Sequence, residues 1–323
     1  MGFYKGKKVA VIGGAGMIGS QLVELLIEEG AEVTVVDDLS RGTTENIEGL
    51  HCKFVYADAA SIRNLNRLRG VDAVFNLAAK VTGMHYNRNH HAEMFEKNMK
   101  LQIAPLEAAV MFGIPLFLQA STVCVYPADM CYPVFEEEGH VGEPEPTNAG
   151  YGWAKRMGER YAQWVAQEHD IKIGITRFSN VFGIRDNFDE ETSHVIPALI
   201  KRTIEDDVVK VYGTGEQIRE FLYSRDAARG MMEVLEHYPE ADPVNIGNPK
   251  NRVTIRELAQ LIQEVLGVNK PLLFDTSIPD GYPRRGSNIE RLIAHTWWQP
   301  ETDLMEGLRR TVEWYICGNH QKR

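Results

Sequence analysis

Short runs of β-branched and apolar residues alternate with longer stretches in which apolar positions recur every three to four residues, and this rhythm holds through the first half of the chain. Runs of the first kind suit strands buried on both faces, and stretches of the second kind suit the helices that cover them. The pattern predicts strands at Lys8–Ile12, Glu32–Val36, Lys53–Tyr56, Ala73–Asn76, Leu116–Ala120 and Lys172–Thr176, with a late strand at Pro243–Ile246 returning to the same sheet. Between the first two, Ile18, Leu22, Leu25 and Leu26 fall on one helical face, and Gly30 stands where a left-handed C-terminal cap belongs. Strand, crossover helix and parallel strand in repetition make an α/β protein with a Rossmann-type, doubly wound parallel sheet.

After Arg177 the rhythm changes. Loops rich in Asp, Asn and Gly run from Gly183 to Glu191, a helix starts near Ile196, and a turn falls at Gly213–Gly215. This segment reads as part of a smaller α/β domain. The expected division gives residues 1–177 to the large domain, rejoined by 222–247 because Asp226–Tyr238 reads as a helix packed on its sheet. Residues 178–221 and 248–323 form the smaller domain, with helices at Thr254–Leu266 and Thr302–Tyr315 and with Trp297, Trp298 and Trp314 expected to pack it. A ligand would lie between the two parts.

With 323 residues the chain is long enough to bury a core without staples. Lys and Arg total 35 against 45 Asp and Glu, a net charge of -10 that argues against a nucleic acid or an anionic membrane as partner. No apolar run approaches the roughly 18 residues of a membrane span. Cys52, Cys124, Cys131 and Cys317 form no CxxC pair and no zinc-type spacing, which favours a reducing compartment. The polar stretch Met1 to Lys8 runs straight into the first strand and has no secretory pattern, so a cytoplasmic protein is expected.

Gly13, Gly16 and Gly19 follow the first strand and open the first helix, the context in which backbone N–H groups, including those of Met17 and Ile18, cradle a pyrophosphate. Asp37 ends the second strand, 18 residues after Gly19, where a carboxylate takes both ribose hydroxyls of an adenosine and repels a 2′-phosphate. The cofactor expected is NAD, with NADP less favoured; Arg41 nearby is the residue that could pair with the extra phosphate. Asp58, after the third strand, is placed either to meet the adenine or to form a turn.

Tyr151 and Lys155 stand four apart on one helical face after the Pro146–Gly150 turn. A phenol with a pKa of about 10 is a poor base at neutral pH, and a neighbouring ammonium favours its ionised form. Thr122 supplies a hydroxyl at the carboxyl end of a parallel strand, where such sheets place their ligands. The glycine triplet, Asn76-Leu77-Ala78-Ala79, Thr122 and the Tyr151/Lys155 pair together resemble the extended short-chain dehydrogenase/reductase family over nearly the whole chain. Within it, Ala79-Lys80-Val81-Thr82-Gly83, Thr122-Val123-Cys124-Val125-Tyr126-Pro127, Pro146-Thr147-Asn148, Asp186-Asn187-Phe188 and Ser193-His194-Val195-Ile196-Pro197 are similar to the GDP-L-fucose synthases, which epimerise and reduce GDP-sugars.

The resemblance implies that Tyr151 exchanges a proton at the sugar C4 oxygen, that Lys155 supports it, that Thr122 takes the usual Ser/Thr place, and that Cys124 and His194 are the epimerisation pair. A C4 ketone acidifies the hydrogens on C3 and C5, and inversion needs a base on one face and an acid on the other. Ala78 is implied at the cofactor, and Lys80, Asn180, Arg202 and Arg219 at the nucleotide-diphosphate sugar, where guanidinium forks suit phosphate oxygens; Arg284 or Arg285 is placed to complete the clamp. GDP-L-fucose synthases use NADPH, usually with Arg where this chain has Ala15 and without a carboxylate like Asp37; GDP-mannose 3,5-epimerases keep NAD bound. The expected function is therefore NAD-dependent epimerisation of a nucleotide sugar, most simply at C3 and C5 of a GDP-sugar with possible 4-keto reduction. A UDP-sugar 4-epimerase is the alternative, and a non-catalytic NAD-binding module an alternative of another class. A homodimer built on the helices around Ala92–Phe112 and Tyr151–Glu168 is implied by resemblance. His90-His91 are read as a solvated helix start and Glu136-Glu137-Glu138 as a charged loop; no metal site is expected.

Overall fold

The computed structural model describes residues 2–127, 130, 132–190, 192–278 and 282–320; Met1, Cys131 and Glu191, named above, lie outside them. The first half runs β1 (Lys8–Ile12), α1 (Met17–Glu28), β2 (Glu32–Asp37), β3 (Cys52–Tyr56), β4 (Ala73–Asn76), α2 (Met84–Asn89), α3 (His91–Met111), β5 (Leu116–Thr122), α4 (Ala149–Glu168) and β6 (Lys172–Phe178). The second half runs β7 (Asn180–Phe182), α5 (Val195–Glu205), β8 (Val209–Tyr212), β9 (Ile218–Tyr223), α6 (Ser224–His237), β10 (Glu240–Ile246), β11 (Arg252–Thr254), α7 (Ile255–Leu266), β12 (Leu272–Asp275), α8 (Glu290–His295) and α9 (Leu304–His320).

Seven strands form one sheet in the order β10-β6-β5-β4-β1-β2-β3, every neighbouring pair parallel. The expected Rossmann-type doubly wound sheet is what the chain folds into. Ile12 pairs with Val36 on one side and with Asn76 on the other, so the order reverses at β1 and opens a crevice at the strands' carboxyl ends. One face is covered by α1 and α6 through Leu22, Leu26, Met231 and Leu235. The other is covered by α3 and α4 through Leu106, Ala109, Ala162 and Val165. Complete burial of each such leucine stabilises by roughly 1.5–3 kcal/mol.

The remaining strands make a three-stranded sheet, β11-β9-β7, and a parallel pair, β12-β8, packed by α5, α7 and α9 around Phe182, Leu199, Phe221 and Leu308. Here α7 shows how local sequence sets an element: the Thr254 hydroxyl takes the Glu257 N–H at 3.1 Å, and Glu257 returns the contact to the Thr254 N–H at 2.7 Å.

Two expectations change. Ile289, Leu292 and Trp298 pack into the α1/α6 side of the seven-stranded sheet, not into the smaller part of the molecule. Trp298 is buried there and donates its indole N–H to Asp226 O at 3.0 Å, whereas Trp297 is exposed. Glu136 to Glu138, read as a charged loop, form a 3₁₀ turn whose Glu136 is buried and accepts the Asn245 N–H at 3.0 Å. Among the described residues no helix is long and apolar enough to cross a membrane, and no cluster of His, Cys, Asp and Glu is set to hold a metal.

Candidate active site

A single cleft of about 3280 Å³ runs along the carboxyl ends of β1, β2, β4 and β5 and under the smaller lobe. Gly13, Gly16, Met17, Ile18, Gly19, Asp37, Asp58, Ala78, Lys80, Thr122, Cys124, Tyr151, Asn180, His194, Arg202, Arg219 and Arg285 all line it; Lys155 lies beneath its floor. Residues spread over more than 250 positions thus reach one space.

The dinucleotide end is built by backbone. Glycine is obligatory at Gly19, where a Cβ would sit 2.1 Å from Gly13 O. Gly16 is the N-cap of α1 and offers no side-chain cap, so the first-turn N–H groups face the cleft. Asp37 is nearly buried, its two carboxylate oxygens each taking one N–H, from Ala15 and from Leu39, both at 2.9 Å. Burial raises its pKa while those amides work against the shift. Each oxygen keeps a lone pair for a hydroxyl. An uncapped helix start beside a buried carboxylate fits an adenine dinucleotide. The terminal nitrogens of Arg41 donate to Val81 O and to Thr192 O. Asp58 is exposed and takes the Ala60 N–H at 2.8 Å, the turn-forming role.

Beyond the cradle, Thr122 ends β5 and its hydroxyl accepts the Cys124 N–H at 3.2 Å. Tyr151 lies in the first turn of α4. Lys155 is 2% exposed, donates to Ala120 O at 2.8 Å, and holds its ammonium 5.9 Å from the Tyr151 ring centre. Burial pushes Lys155 down to about 7, with Glu159 acting against the shift. The sequence reading has Lys155 drawing the Tyr151 phenol toward ionisation; here burial dominates and, with Cys124 adding to it, raises the Tyr151 pKa. Below the floor, Arg177 grips Glu159 at 2.6 and 2.8 Å, and Glu159 also takes the Ser121 hydroxyl. Nothing local in the sequence announces this buried pair, which braces α4 against β5 and β6.

His194 is the N-cap of α5 and opens into the cleft. The surrounding wall, with Arg41 adding to it, lowers its imidazole to about 4. Asp186 is buried, with one oxygen taking the Asn187 N–H at 2.7 Å and the other unpartnered, and burial lifts its carboxyl to about 7. Sequence reasoning used Asp186 only as part of a motif and missed it as a titrating group.

Two of the residues expected at the substrate have protein partners in the cleft. Arg285, expected at the diphosphate, stands 4.0 Å from Cys124 Sγ and pairs with Glu145, whose buried carboxylate draws it there. Lys80 lines the cleft with its ammonium on Glu93 at 2.5 Å and on Tyr86 at 3.2 Å. At the far end Asn180 donates to Glu220 O at 2.9 Å, Arg219 to Tyr282 O at 2.8 Å, and the Arg202 guanidinium lies 4.5 Å from the Tyr212 ring centre. Phe188, stacked 4.1 Å from Tyr315, adds an aromatic wall that the sequence reading did not single out.

Residues 9–247 match the NAD dependent epimerase/dehydratase family. The chain belongs to this family. It is an enzyme of the extended short-chain dehydrogenase/reductase type, as the fold and the glycine cradle already indicate. It is 32% identical over 320 residues to a GDP-L-fucose synthase of Sinorhizobium fredii, covering 96% of each chain. It is 33% identical over 320 residues to a probable GDP-L-fucose synthase 1 of Oryza sativa, covering 97% of this chain and 93% of that one. Among solved structures, UDP-glucose 4-epimerase of Thermotoga maritima, with UDP-glucose, superimposes with a TM-score of 0.87 at 27% identity, covering 97% and 99% of the two chains. A GDP-L-fucose synthetase of Naegleria fowleri superimposes with a TM-score of 0.82 at 25% identity, covering 97% and 94%.

Proposed function

We propose that the protein is an NAD-dependent nucleotide-sugar epimerase that works through a C4-keto intermediate and inverts C3 and C5 of a GDP-sugar, with reduction of the 4-keto group as a further step. The observation that carries this reading is that Cys124 and His194 open into the same cleft as Tyr151 and the glycine cradle. A 4-epimerase needs Tyr151, Lys155 and the cradle but neither of those two. Similarity to GDP-L-fucose synthases along almost the full chain supports the GDP-sugar class.

NAD held by Gly13, Gly16, Met17, Ile18, Gly19, Asp37 and Ala78 supplies a reversible hydride acceptor. Thr122 orients the C4 hydroxyl and Tyr151 holds its proton, with Lys155 fixing the floor beneath. With C4 as a ketone, the adjacent C–H bonds become acidic. His194 accepts a carbon-bound proton, and the Cys124 thiol delivers its own to the opposite face. Solvent returns the proton from imidazolium to thiolate and closes the cycle. Arg202 and Arg219 supply positive charge for the diphosphate at the far end of the cleft.

Incubation with GDP- and UDP-sugars and their 4-keto-6-deoxy forms in D2O tests the reading. Deuterium at C3 or C5 is the expected result, reduced about 10²–10⁴-fold by Cys124→Ser. Inversion at C4 without deuterium would make the protein a 4-epimerase. Assembly belongs to the same proposal: Phe95, Met99 and Ile103 form an apolar stripe along α3, Trp164 is exposed on α4, and a second copy of the chain is their expected cover.

A further inference from the structure

Arg41 lies on the loop after β2, and its foot is bolted to the glycine cradle. A Cβ at Gly42 would fall 2.6 Å from Ala15 C and O, so only glycine lets the two loops approach this closely. The Thr43 N–H donates to Ala15 O at 3.2 Å, and Asn46 Nδ2 donates to the same oxygen at 2.8 Å.

From that foot the guanidinium reaches two other loops. One terminal nitrogen donates to Val81 O, on the loop after β4; the other donates to Thr192 O at 3.3 Å, on the loop before α5. The second loop is itself braced: Asp189 Oδ1 takes both the N–H and the hydroxyl of Thr192, at 3.1 and 2.9 Å, and Asn187 Nδ2 donates to Thr192 Oγ1 at 2.7 Å. Two residues further on stands His194. A planar guanidinium, with donors on separate nitrogens, can hold two carbonyls at once, which an ammonium on a shorter reach does less well. Its charge also acts on Asp186, Tyr151 and His194.

We propose that Arg41 is a positioning residue, a strap drawn across the cleft that retains the dinucleotide and holds the His194 loop against the cofactor half. The retention half rests on the reading of the cradle as a dinucleotide site. Arg41 is exposed, and a variant is informative only when it keeps the parent's melting curve.

The test compares the parent protein with Arg41→Met and Arg41→Lys, each checked for an unchanged melting curve. Dinucleotide released after free cofactor is removed by gel filtration is followed over time, and hydrogen–deuterium exchange of amides 186–194 is measured on cofactor-stripped protein. Met is expected to release dinucleotide roughly tenfold faster and to speed exchange of that loop, with Lys in between. Unchanged exchange in the Met variant overturns the proposal, whatever the release rate, because Arg41 would then not hold the loop. If the parent carries no dinucleotide, the cofactor reading fails separately and exchange alone decides the strap.

Discussion

Asp186 carries a carboxyl that the fold makes hard to ionise. Its pKa stands at about 7 against an ordinary 3.8, with burial as the main cause. An acid raised in this way is neutral in both folded and unfolded chains at low pH, costs stability progressively between pH 3.8 and 7, and exacts the full cost above 7. Asp186→Asn keeps an oxygen for the Asn187 N–H and removes that cost. The variant should be more stable than the parent by on the order of 2 kcal/mol at pH 8, with the difference closing toward pH 4. Thermal melts at the two pH values check this. At this scale the sequence conveyed residue types and missed pairings. Arg285 was placed at the diphosphate because a guanidinium fork suits phosphate oxygens, and Lys80 at the substrate by resemblance; the partners the fold gives them, Glu145 lying 140 positions from Arg285 and Glu93 on α3, were not readable. Chain-distant neighbours leave no local periodicity.

The strands of the large sheet and the long helices were legible, whereas the short strands β7, β8, β9, β11 and β12 were not; the discrepancies within the large sheet share a cause. The strands expected to stop at Val36, Ala120 and Thr176 continue to Asp37, Thr122 and Phe178. The added residues include Asp37, Ser121, Thr122 and Arg177, polar groups at the carboxyl ends of a parallel sheet, where an apolar pattern must break for a site to form. Hydrophobic periodicity therefore ends a strand where function begins. The β1–α1 turn shows the reverse, because glycine spacing conveys geometry directly. Gly19→Ala would drive a methyl group into Gly13 O, at 2.1 Å, and that backbone has nowhere to retreat. The cradle should open, with at least tenfold weaker dinucleotide binding and a loss of about 1–3 kcal/mol in stability. Dinucleotide recovered per protomer and a denaturant midpoint measure the two effects.

At the scale of the whole molecule, the apolar stripe on α3 is the surface proposed to be covered by a second copy of the chain. Phe95 is 40% exposed on that stripe. Phe95→Glu places a charge at the centre of the expected contact, and sedimentation should return the 36.5 kDa monomer where the parent sediments as a pair. A parent that sediments at 36.5 kDa would remove the dimer from the proposal. The parallel sheet and the return of β10 to it were readable from alternation; the strand order was not, nor was the entry of Trp298 into the large core, since a lone tryptophan carries no period.

That return has a consequence for the order in which the protein can be finished. The sheet's last strand, β10, enters only at Glu240, and Trp298 seals the opposite layer later still, after the smaller lobe's strands have all left the ribosome. Until then β6 presents an open edge, and the α1/α6 face lacks its plug. A growing chain stopped at residue 177 is therefore not a smaller copy of the cofactor half. It is an unfinished sheet with a sticky border, and the two halves of this enzyme must come to completion together.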